Sequence, residues 1–156
     1  VSIIQDLYLI FDKEYARHRE RRCSKNLLVL ELRHNLAFLR AGLAEQLPGT
    51  TIVAGLEQAQ YRQATEKGTA LNAIQKRRLA RRTYGGIREF EKYHDWSTEQ
   101  LIHKAYERIA VLKKLDLDAG SVNVRARLQY LFKFLMLLIA HIDGETLHLS
   151  SSASRQ

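Results

Sequence analysis

Residues 26–47 read NLLVLELRHNLAFLRAGLAEQL, and taken as a helix this stretch is apolar on nearly every side. Leu28, Leu32, Leu36, Leu39 and Leu43 fall along one stripe, while Leu27, Leu30, Ala37, Phe38 and Ala41 occupy most of the remaining surface. A helix with so little polar face is expected to be buried among other elements. A second run of the same character, LQYLFKFLMLLIAHI over 128–142, is interrupted only by Gln129, Lys133 and His141. It falls short of the ~20 residues that a bilayer span requires, so no transmembrane segment is expected. The two runs are expected to face each other as the inner pair of an all-α bundle of four to five helices.

Working outward, Ile3, Ile4, Leu7, Ile10, Phe11 and Tyr15 recur at helical spacing and predict an amphipathic helix over 2–22. The segment Cys23-Ser24-Lys25-Asn26 reads two ways, as a break with Ser24 or Asn26 capping the next helix or as part of one helix running on to Leu47. Pro48-Gly49 ends the helical pattern, and residues 52–83 read as a further helix weakened at Gly68. Tyr84-Gly85-Gly86 marks another break, followed by a short helical turn over 87–93. Ser97-Thr98-Glu99-Gln100 is a helix start with Gln at the third position after the cap. The helix it opens uses Leu101, Ala105, Ile109 and Leu112 as its buried face. A turn at 116–120 precedes the final helix, expected over 121–142. One domain over 1–149 and a disordered tail over 150–156 are expected.

With 156 residues, 46% hydrophobic and 27% charged, the composition is that of a globular chain with one sizeable core. A single proline favours long helices. The formal charge of +8 favours polyanionic partners. Cys23 is the only cysteine, which excludes an internal disulfide and a cysteine-built zinc cage. The free thiol, with no secretory-signal pattern at the start, leads to the expectation of a cytoplasmic protein.

The most definite surface signal is QKRRLARRTYGGIR over 75–88, in which Lys76, Arg77, Arg78, Arg81, Arg82 and Arg88 occur without an acidic residue. On a helix, Arg77, Arg78, Arg81 and Arg82 fall on one side and Leu79, Ala80 and Thr83 on the other. Such a ridge suits nucleic acid, because arginine forks grip phosphate in pairs and affinity grows with each phosphate neutralised. It suits an acidic protein surface equally.

Arg88-Glu89-Phe90-Glu91-Lys92-Tyr93-His94 has the R-x5-H form. It resembles the arginine and histidine signature of HEPN ribonucleases, which are small all-helical proteins. The resemblance implies a homodimer in which His94 serves as acid or base and Arg88 stabilises the anionic phosphorane, without a metal or other cofactor.

Three Glu-x-x-His pairs occur, Glu31/His34, Glu91/His94 and Glu145/His148. The i, i+3 spacing matches the carboxylate iron sites of four-helix bundles. Only Glu31/His34 sits in an apolar run, and Glu14, Glu57 and Glu66 are the glutamates available to complete a site. The plainer expectation is a buried hydrogen bond between Glu31 and His34. His34 also stands in ELRHN, which resembles the phosphoacceptor helix of some sensor kinases, although an ATP-binding domain is not legible here. No P-loop, Gly-rich dinucleotide turn, G-x-S-x-G or Cys/His dyad is present. The leading expectation is therefore a non-catalytic module that docks an anionic partner and holds no cofactor or metal.

Overall fold

A computed structural model of the chain describes residues 3–21, 26–115, 117 and 123–148, with backbone alone over 15–21. Seven α-helices occur among them: α1 (Ile3–Arg21), α2 (Leu27–Ala44), α3 (Gly49–Gly55), α4 (Ala59–Glu66), α5 (Arg81–Tyr84), α6 (Thr98–Lys114) and α7 (Val124–Asp143). Two 3-10 turns, Leu71–Ala73 and Arg88–Tyr93, complete the secondary structure, and no strand occurs among the described residues. The chain is all-α. No described helix is long and apolar enough to cross a membrane.

Three of the long helices begin at side-chain caps. Asn26 is extended (φ −85°, ψ 113°), and its side chain accepts from the N–H groups of Leu28 and Val29 at 3.0 and 3.2 Å. That conformation rules out one continuous helix through to Leu47 and selects Asn26 as the cap. Ser97 and Gln100 form a reciprocal capping box at the start of α6, with bonds of 2.9 and 3.2 Å. Asn123 accepts from the Ala126 N–H at 3.0 Å and opens α7. The turn expected at 116–120 lies outside the described residues except for Leu117. Cys23 and the tail over 150–156 lie outside them entirely.

α7 is the axis of the packing. It contacts α1, α2, α3, α5 and α6, and every residue from Phe134 to His141 is buried. α2 differs from the expectation of burial all round. Its stripe of Leu28, Leu32, Leu36, Leu39 and Leu43 is buried, yet Leu27 is 58% exposed and His34 and Ala41 are exposed with it. These three are spaced by seven residues and line one solvent-facing edge.

The helix expected over 52–83 is interrupted repeatedly, and tertiary partners explain the first break. Asn35 clamps the backbone of Glu57, donating to its C=O at 2.9 Å and accepting from its N–H at 2.8 Å. Glu31, one turn earlier on α2, accepts from the N–H groups of Gln60 and Tyr61 at 2.8 and 3.3 Å. These are early donors of α4, whose flanking Gln58 supplies no cap of its own. A side chain from another helix therefore does the capping. Just past the end of α4, Gly68 has a φ of +67° that suits glycine, and the Thr69 N–H returns to the Ala64 carbonyl at 2.9 Å. Residues 75–80 are not helical.

Candidate functional site

The cationic residues named from the sequence are carried by a loop and a short helix rather than by one helix face. Lys76, Arg77 and Arg78 lie in the irregular segment before α5, and Arg81 and Arg82 form its first turn. All five are exposed. None of them forms an ion pair with a carboxylate among the described residues.

The loop is nevertheless held firmly. Leu79 is 1% exposed, and it exchanges backbone bonds with the turn before α6: its N–H reaches the Trp96 carbonyl at 2.8 Å, and its carbonyl accepts from Asp95 at 2.9 Å. Asp95 adopts a left-handed φ of +67°, a conformation Asp tolerates better than most residues. Its carbonyl accepts from Arg78 Nη1 at 2.9 Å. At the other end of the loop, buried Thr98 donates to the Gln75 carbonyl at 2.6 Å. The Thr98 oxygen then accepts from His141 Nε2 at 2.8 Å, which fixes the proton of the neutral imidazole on Nε2. Burial lowers the pKa of His141 and keeps it neutral. α5 is fastened from the C-terminal side, where the Leu147 N–H donates to the Thr83 carbonyl at 2.8 Å.

Arg88 opens the second 3-10 turn and His94 follows its last residue; both are exposed. No hydrogen bond joins them. His94 Nδ1 lies 3.0 Å from the Tyr84 hydroxyl, with the two rings edge-on at 87°. The ring is thereby oriented, and Nε2 is left for other partners.

Glu31 and His34 do not pair. Glu31 is 3% exposed and receives the Tyr106 hydroxyl at 2.8 Å besides the two α4 donors, whereas His34 points to solvent. Burial, with the neighbouring Glu31 carboxylate, raises the Tyr106 pKa, so this hydroxyl stays a donor. Tyr106 stacks on Tyr61 at 4.1 Å, and Tyr61 in turn hydrogen-bonds His103 Nδ1. Glu145/His148 lies beyond the end of α7, and Glu91, in the second 3-10 turn, and His94, just after it, are both exposed. Among the described residues no group of three or more His, Cys, Asp and Glu side chains is placed to hold a metal.

One cluster escaped the sequence reading. Tyr93, Arg108 and Tyr130 come from the second 3-10 turn, α6 and α7. The two hydroxyls are 2.8 Å apart, and Arg108 Nη2 donates to Tyr93 at 2.8 Å. The Arg108 guanidinium lies 4.1 Å from the centre of the Tyr130 ring and 4.9 Å from that of Phe134. Lys92 Nζ is 5.1 Å and Lys133 Nζ 5.7 Å from the Tyr130 ring. The residues are far apart in sequence and share no motif. The only hint was polar positions inside the apolar run of α7.

No protein-family model matches the chain, and no curated protein or solved structure matches it either.

Proposed function

We propose that the chain is a non-catalytic interaction module that docks an anionic partner, nucleic acid or an acidic protein surface, through Arg77, Arg78, Arg81 and Arg82 with Lys76 in support. The observation that carries this reading is five exposed cations without carboxylate partners among the described residues, on a backbone pinned by Leu79, Thr98 and Leu147. Cations on an anchored loop lose less conformational freedom on binding than cations on a free one. Of the two partners, nucleic acid is favoured by the four arginines, whose planar forks match phosphate oxygens.

The test is a titration with single-stranded RNA, duplex DNA and polyglutamate at several salt concentrations. Binding that weakens steeply with salt is expected, with a log–log slope of about −0.7 to −0.9 per phosphate neutralised. Charge reversal at Arg77, Arg81 and Arg82 should remove it. Unchanged affinity for every polyanion would overturn the proposal.

The second reading, a metal-independent ribonuclease using Arg88 and His94, is favoured by the orienting bond from Tyr84 to His94 Nδ1. It requires RNA cleavage in EDTA that is lost in His94→Ala; RNA left intact would exclude it.

A further inference from the structure

Arg108 is a cation placed where nothing in the described structure neutralises it. Its Nη1 is buried without a hydrogen-bond partner, and the guanidinium's partners are the hydroxyls of Tyr93 and Tyr130. The neighbouring elements carry four glutamates: Glu91 is exposed and forms no ion pair among the described residues, Glu99 lies 3.5 Å from His103, and the other two pair with lysines. Glu107 pairs with Lys104 at 3.6 Å, and Glu89 pairs with Lys133 at 2.8 Å. Lys92, from the 3-10 turn, hydrogen-bonds the Tyr130 hydroxyl and forms no ion pair among the described residues. Arg108 and Tyr130, with exposed Arg127, line a cleft of about 610 Å³ between α6 and α7, and Glu107, paired with Lys104, stands on the same wall. A partly buried guanidinium with no counter-ion is costly, and the structure offers only phenol oxygens in return.

We propose that this cleft binds a small phosphate-type oxyanion, held by Arg108 and Arg127 with Lys92 at the Tyr130 hydroxyl. Three features support the assignment: a guanidinium without an ion pair among the described residues, a cleft open to solvent beside it, and the rings of Tyr93, Tyr130 and Phe134 packed against the guanidinium. The last strengthens electrostatic attraction. The same positive field acts on the protein's own acid. Burial raises the Tyr130 phenol, but hydrogen bonds from Lys92, Tyr93 and Arg108 outweigh it and pull the pKa down to about 8. Tyr93 goes the other way, raised by its burial and by Tyr130. The cations therefore favour an early first ionisation of the Tyr93–Tyr130 pair. A Tyr130 phenolate and a bound oxyanion would compete for one set of cations, so each must weaken the other by the same factor.

That reciprocity supplies a test that needs no activity. Absorbance at 295 nm, followed between pH 6 and 11, should show one early-ionising tyrosine that is missing in Tyr130→Phe. Inorganic phosphate, compared with sodium chloride at matched ionic strength, should move that midpoint upward by about half a pH unit or more. Arg108→Gln should abolish the shift. Because Arg108 is packed among aromatic rings, Lys92→Gln and Arg127→Gln, at more open positions, should each reduce it in a chain that keeps its wild-type circular dichroism. A midpoint that phosphate and chloride move equally, or a shift that survives all three substitutions, would overturn the site.

Discussion

The Glu31 carboxylate accepts the Tyr106 hydroxyl at 2.8 Å and at the same time caps the start of α4. One buried acid on α2 thereby joins α4 and α6. Glu31→Ala would leave a buried hydroxyl and two helix N–H groups without acceptors, and should destabilise the fold by about 3–5 kcal/mol. Glu31→Gln retains one acceptor oxygen and should cost about 1–2 kcal/mol. Urea midpoints of the two variants measure the difference; equal losses would show that acceptor geometry plays no part.

A second prediction concerns acid. Burial holds His141 below its ordinary value of 6.5, so the unfolded chain takes up a proton at pH values where the native chain does not. The stability contribution is full above about pH 6.5 and falls as the pH drops from there through the native pKa. Urea midpoints of wild type and His141→Gln between pH 5 and 8 should differ in slope on the acid side, with the wild type the steeper.

Leu79 tests whether the loop's rigidity matters to binding. Leu79→Ala removes a nearly fully buried side chain and should cost about 2–5 kcal/mol. Every cation of the loop is retained. Under the proposed function, polyanion affinity should fall in a variant still folded at the assay temperature, and amide exchange should quicken at Asp95 and Leu79.

Gly85 closes α5 with a φ of +58°, and a Cβ there would meet the Leu147 carbonyl oxygen at 2.8 Å. Gly85→Ala combines backbone strain with a contact against main chain, and should cost about 1–3 kcal/mol. Gly86→Ala, at a φ of +85° with open space around it, serves as the comparison and should cost less. Thermal melts of the pair decide it.

Local chemistry was the legible part of this sequence. Ser97 caps α6 as a sequence reading expects, Asn26 settles the two readings open for 23–26, and Pro48, read as the stop of the preceding helix, stands instead at the start of α3, with α2 already ended at Ala44. The break at Glu57 was not legible, because its cause is Asn35 on another helix. The same reason hid the partner of Glu31: the sequence offers His34 three residues away, while the real donors lie in α4 and α6. Of the cationic residues, the identities were readable and the scaffold was not. A run such as QKRRLARR has helical periodicity of its own, but Leu79 is pulled into the core by bonds to Asp95 and Trp96 that hold the chain in an extended path.

The bond from Leu147 to Thr83 sets an order of events. Contacts between distant parts of a chain form late, because closing a long loop costs entropy before any contact repays it. Arg81 and Arg82 are synthesised before α7, and α5 receives its C-terminal fastening only once α7 and the residues after it have been made. The arginines therefore carry their charge as soon as they are made and acquire their final arrangement only after Leu147 has followed them.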